Sequence, residues 1–143
     1  MSTPLSDVRS REPTVIPSDL PIRVRFSGVR VFDPILGREV EVAGPVDLTR
    51  YHDVPFDFTN ARTGLADVAR GIALHVIEED GVAVDRYWNL ISKRAIERLK
   101  PDLASGAYLH AAYVILASGS GPKKTYDVTR QAVPPQPPSA LGP

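Results

Sequence analysis

The stretch that decides the fold is residues 71–133, GIALHVIEEDGVAVDRYWNLISKRAIERLKPDLASGAYLHAAYVILASGSGPKKTYDVTRQAV. Ile72, Leu74 and Val76 alternate with Ala73, His75 and Ile77, the period of a half-buried strand. Asp80-Gly81 is a turn signal that closes a hairpin onto a second strand over 82–91. Ser92 suits a helix N-cap, and Ala95, Ile96 and Leu99 are spaced for one buried helical stripe. Pro101 lacks an N–H and crowds the preceding turn, so the helix is expected to end or kink at Lys100. Gly106 turns the chain into a strand over 108–117. The loop SGSGPKK then leads to a last alternating strand over 125–133. The order is strand, strand, helix, strand, strand.

Working outward, IRVRFSGVRVF at 22–32 supplies one more long strand. Ile22, Val24 and Phe26 fall on one face, and Arg23, Arg25 and Ser27 on the other. Gly28 interrupts the alternation and predicts a bulge or sharp bend. Asp33-Pro34 and Gly37 make a turn, after which 38–43 returns as a short alternating strand. Residues 44–70 are the least regular part of the body and are expected to form a long excursion with a short helix over 65–70. The first 20 residues contain Pro4, Pro13 and Pro17 and read as a flexible arm. Residues 134–143, PPQPPSALGP, read as a polyproline-II-like tail. One domain is therefore expected over 21–133.

The 143 residues suffice for one core, and 17 basic side chains balance 17 acidic ones. That balance counts against a strongly cationic surface but leaves room for a local positive groove. The absence of cysteine excludes disulfides, thiolate metal sites and cysteine nucleophiles. The first residues show no signal-peptide pattern, and the longest apolar run, near Tyr113, is too short to cross a bilayer. A cytoplasmic location away from membranes is the expectation.

Arg23 and Arg25 project from one strand face roughly 6–7 Å apart, near the spacing of adjacent phosphates, and Arg30 follows on the same strand. Guanidinium groups grip phosphate and stack on bases. The competing reading pairs these arginines with Glu39 and Glu41 on the next strand. Trp88 shares parity with Val82, Val84 and Leu90 and is assigned to the core. Tyr87 shares parity with Asp85 and Asn89 and is assigned to solvent, where a base would stack on it, with Arg86 beside it. Tyr113 and Tyr126 are further candidates for exposure. Tyr51, His52, Asp53, Phe56, Asp57 and Phe58 form an aromatic-acidic cluster in which the phenylalanines pin the loop and Tyr51 or Phe58 could stack. The three histidines lack helical i, i+4 spacing, so no metal site or cofactor is expected. No serine sits beside a base, which argues against an enzyme. GSGPKKTYDV leads into a strand and is no phosphate loop. Instead it offers Lys123 and Lys124 at a hairpin tip.

This element order resembles the five-stranded OB-fold barrel. A strand with an aromatic near its end precedes SKRAIERL, a glycine and a GSGPKKTYDV hairpin. Over about residues 71–130 that pattern resembles compact single-stranded-DNA-binding proteins of phage and prokaryotic origin. The resemblance implies an all-β fold, an OB-like barrel with one helix between its third and fourth strands, an insertion after its first strand, and disordered proline-rich ends. It also implies sequence-tolerant binding of single-stranded DNA, or RNA, in replication, recombination or repair. Arg23, Arg25, Lys123 and Lys124 would capture the backbone, Tyr87 and Tyr113 would stack, and Arg30, Tyr51 and Arg86 complete the candidate set. A homo-oligomer is compatible with this, and the proline-rich tail could dock a protein partner. The alternative is a structural or assembly module, a virion or scaffold component, that docks through its proline-rich arms.

Overall fold

The computed structural model describes residues 14, 16–17, 19–60, 62–119 and 125–132. Its strands are β1 (Ile22–Asp33), β2 (Arg38–Val42), β3 (Val54–Thr59), β4 (Ala66–Glu79), β5 (Val82–Leu90), β6 (Ala111–Ser118) and β7 (Thr125–Ala132). One α-helix, α1 (Lys93–Ser105), lies between β5 and β6. The expected all-β class holds, but among the described residues the seven strands form one antiparallel sheet that does not close.

β1 organises this sheet. One edge pairs with β4. The other pairs first with β6 over residues 22–25 and then with β2 over residues 29–33. The register slips between Arg25 and Gly28, so the irregularity expected at Gly28 is present. Its consequence is a change of phase. Before the bulge odd-numbered side chains face outward, and after it Gly28, Arg30 and Phe32 do. β5 pairs with the far edge of β4, and β7 with the far edge of β6. The hydrogen-bonded path through these strands is therefore β5-β4-β1-β6-β7.

The inner face is apolar. Phe26 stacks on Trp88 with ring centres 6.3 Å apart and meets the Tyr113 ring at a 34° tilt, 5.3 Å away. Leu99 and Leu103 of α1 join the same core. Among the described residues β5 and β7 share no ladder, yet Trp88 and Tyr126 meet edge to face across the gap at 5.6 Å. Ile16, 4% exposed, also enters this core. The Thr14 N–H donates to the Tyr87 carbonyl at 3.0 Å, and the Asp19 N–H to the Ala117 carbonyl at 2.7 Å. The segment before β1 thus passes from the edge of β5 to β6. The Asp80-Gly81 hairpin and the Ser92 N-cap are both present, with Ser92 Oγ accepting from the Ala95 N–H at 3.3 Å.

Two local expectations are corrected. Residues 65–70 form no helix, because β4 begins at Ala66 and pairs with β3, whose Val-Pro-Phe-Asp-Phe-Thr sequence favours extended chain. Asn60 shapes the turn between them: its side-chain oxygen accepts the Arg62 N–H at 2.9 Å, and Gly64 takes a positive φ of 71°. From Val54 onward the excursion is therefore a hairpin, preceded by a single 3-10 turn over Leu48–Arg50. Nor does α1 end at Lys100. It runs through Pro101 to Ser105 and stops at Gly106, whose φ is 83°. Pro101 frees only the Glu97 carbonyl, on an exposed turn. Continuing the helix buries Leu103 completely and lets its carbonyl accept the Val46 N–H at 2.7 Å.

Candidate nucleic-acid interface

The outer face of β4 and β5 is built by strand alternation. His75 and Tyr87 are cross-strand partners, as are Ala73 and Asn89, so these four side chains share a face. Gly28 and Arg30 of β1 continue the same rows, and Glu41 of β2 lies opposite Arg30. A Cβ on Gly28 would come within 3.0 Å of Glu41 Oε2. The bare glycine makes room for the carboxylate to lean across β1 towards β4.

That carboxylate organises a network. Tyr87 donates its hydroxyl to Glu41 Oε1. His75 Nδ1 lies 2.9 Å from Glu41 Oε2, and Nε2 lies 2.7 Å from Asp85 Oδ1. Carboxylates accept and do not donate, so only the imidazolium satisfies both contacts at once. The Glu41 hydrogen bond is the largest cause raising the pKa of His75. Partial burial opposes it, and Asp85 reinforces it. For Glu41 burial favours the neutral acid most strongly, but the bonds from His75 and Tyr87, with the positive charges of His75 and Arg30, outweigh it and hold the carboxyl below its ordinary value. The His75 and Tyr87 rings stack at 4.6 Å with 22° between planes. Phe56 packs on Tyr87 and Ala73. Phe58 lies two residues further along β3 on the same face and is 44% exposed.

The residues expected to bind nucleic acid separate when placed on this frame. Arg23 and Arg25 share the outward face of β1 and are half-buried. Arg23 Nε is buried without a hydrogen-bond partner among the described residues. Arg30 faces outward but is 3% exposed, its Nε bonded to Glu39 Oε1 at 2.8 Å, as the competing reading expects for this strand. Arg86 has the parity of Trp88, points to the inner side and pairs with Glu79 at 2.7 Å. Tyr87, expected in solvent, is 8% exposed because Phe56 and His75 cover it. Tyr113 is 1% exposed and donates its hydroxyl to Asp102 at 2.7 Å, so it presents no free ring face. Tyr51 is half-buried against the core. Tyr126 is half-buried against Trp88. Lys123 and Lys124 lie outside the described residues.

Other features fill in the surface. Arg62 and Arg70 are exposed on the β3–β4 hairpin and make no ion pair among the described residues. A cleft of about 320 Å³ between α1, β6 and β7 is lined by Arg98, Leu99, Asp102, Tyr113, Val128, Thr129 and Arg130. Its arginines are paired, Arg98 with Asp127 and Arg130 with Asp102. Among the described residues no cluster of histidine and carboxylates has metal-binding geometry, and no helix is long and apolar enough to cross a membrane.

The Glu41–His75–Asp85 bridge was not foreseen from sequence. Its signal was the outward parity of His75 and Asp85, but Glu41 joins them only through the pairing of β2 with β1. No family model matches this chain, and neither a curated protein nor a solved structure matches it.

Proposed function

We propose that this chain is a sequence-tolerant binder of single-stranded nucleic acid, DNA first, built on a partly open OB-like barrel. The strand path β5-β4-β1-β6-β7, with α1 between β5 and β6, supports that barrel. Counted as barrel strands, β1, β4, β5, β6 and β7 follow the Greek-key order, with β2 and β3 as an insertion after the first. In such barrels the face of the second and third strands carries the ligand. Here that is the outer face of β4 and β5.

The observation that carries the reading is the aromatic row on this face. It runs from Phe58 through Phe56 to the stacked pair Tyr87 and His75, and Phe58 forms its open end. A base stacked on an exposed aromatic gains roughly 1–3 kcal/mol without reading sequence. Stacking thus falls to Phe58, not to the covered Tyr87 or Tyr113. Backbone contacts fall to Arg62 at the tip of the same hairpin and to Arg23 and Arg25 of β1, with Lys123 and Lys124 contributing from the β6–β7 loop. Titration into a fluorescent oligothymidine at low and high salt tests this. Phosphate contacts require weaker binding as salt rises, and no binding at low salt would remove the proposal.

A second reading is favoured by one observation: hairpin tips carry bare apolar side chains, Ile35 at 85% and Leu65 at 68% exposure. These suit contact with protein in an assembly. A large, salt-resistant particle formed without nucleic acid, seen by light scattering, would support that reading instead.

A further inference from the structure

The open ring of Phe58 has a polar neighbour directly across the ladder. Phe58 of β3 and Asp67 of β4 are cross-strand partners, so their side chains share a face, with Cβ atoms about 4.5–5.5 Å apart. Both are exposed. A base stacked on Phe58 is wider than that separation, and its rim passes over the carboxylate. Behind the ring the row continues in Phe56 and its partner Ala69, which are apolar. Asp57, Val68 and Arg70 belong to the opposite face of the hairpin by alternation.

Asp67 is restrained by its own strand. Its Oδ1 accepts the Val68 N–H at 2.8 Å. Among the described residues its Oδ2 has no hydrogen bond or ion pair. A carboxylate has about four lone-pair sites and only accepts, so capacity is left for a donor on the ligand. Bases differ in what their rims donate. Cytosine carries an N4 amino group, adenine an N6 and guanine an N2 amino group, whereas thymine presents the O4 acceptor and a methyl group. A carboxylate bonds to an amino group and is repelled by a carbonyl oxygen. Aspartate accepting from cytosine N4 is one of the pairings that base-edge geometry allows.

We infer that Asp67 selects the base stacked on Phe58, favouring an amino-bearing base over thymine or uracil. The inference rests on the single-strand reading above and names the ligand that this site prefers. Stacking and phosphate capture leave the rest of the strand unread, and one position carries the bias. Cytosine against thymine is the cleanest contrast, because both are pyrimidines and differ at the group that meets the carboxylate.

The test is fluorescence anisotropy near neutral pH with oligodeoxycytidine and oligothymidine of equal length, on the wild type, Asp67→Ala and Asp67→Asn. The readout is the ratio of the two affinities. Removing the charge changes phosphate repulsion for both oligomers alike, so that effect cancels in the ratio. From the wild type to Asp67→Ala the ratio is expected to move towards thymidine by roughly three- to tenfold, the size of one net hydrogen bond. Asp67→Asn is expected to move it at least as far, because its amide N–H donates to thymine O4. A ratio unchanged within about twofold, or one that moves towards cytidine, overturns the base selection and leaves the single-strand reading intact. The site is exposed, and if one variant fails to fold the other decides alone. Absence of binding of both oligomers by the wild type overturns the reading and the selection together.

Discussion

The two faces of the β4–β5 hairpin bury neighbouring aromatic residues in opposite ways. On the inner face Trp88 lies among Phe26, Tyr126 and aliphatic side chains, and its burial is held by the exclusion of apolar surface from water. On the outer face Tyr87 is nearly as covered, but by a histidine ring, a carboxylate and one phenylalanine. The first environment works by area and shape, the second by satisfied polar groups. Alternation along β5 therefore tells which residues share a side, and not which side is wet.

The sharpest way to break this comparison is to remove its apolar half. Trp88→Ala should cost about 3–5 kcal/mol, read as a lower urea midpoint, because the cavity lies in a fully packed interior. A loss below about 1 kcal/mol would mean that this core is loosely packed.

Gly71→Ala probes the join between the hairpins. An added Cβ would sit 2.0 Å from the Leu90 carbonyl oxygen, which is backbone and cannot step aside without moving β5. A destabilisation of about 1–3 kcal/mol or more is expected. A neutral result would show that β4 and β5 are further apart there than described.

The polar half is tested by pH. The raised pKa of His75 means that its contribution is fully present below its unfolded value of about 6.5 and is lost as pH rises through the folded value. The lowered pKa of Glu41 means that its contribution is present above its ordinary value of 4.5 and is lost as pH falls through the folded value. The bridge is therefore strongest between these limits. His75→Gln should cost about 1–3 kcal/mol near pH 6, and the cost should shrink as pH rises. Asp85, more than half exposed, adds little of this. An equal cost from about pH 6 to about pH 9 would show that His75 is not charged in the folded state.

The smallest expected effect is that of Tyr87→Phe. It deletes the donor to Glu41 but keeps the ring against His75 and Phe56, and should cost about 1 kcal/mol, measured by the same urea titration. Comparing it with Trp88→Ala separates polar from apolar burial on adjacent residues.

Much of the body was legible because it is governed by short-range chemistry. Asp80-Gly81, the Ser92 cap, the alternation at Ile22–Phe26 and the interruption at Gly28 each act within a few residues. What escaped depends on pairing between distant segments. Residues 66–70 became strand because β3 was there to receive them. Pro101 was carried inside α1 because Leu103 had a core to enter. Tyr87 was hidden because Phe56 and Glu41 arrive from an insertion some 30 to 45 residues earlier. The same holds for the candidate site: Arg86 looks free in sequence and is paired in space with Glu79, whereas the Arg30–Glu39 pair is the one the competing reading named from the neighbouring strand. Only the outward faces of Arg23 and Arg25 followed from local pattern.

The central claim is that the outer aromatic row ends in a ring left open for a base. Phe58→Ala tests it most directly, with oligothymidine affinity and the urea midpoint measured on the same preparation. Stability should stay within about 0.5 kcal/mol, while affinity should fall by roughly 5- to 100-fold, the loss of one stacked base. Unchanged affinity at unchanged stability would contradict the account.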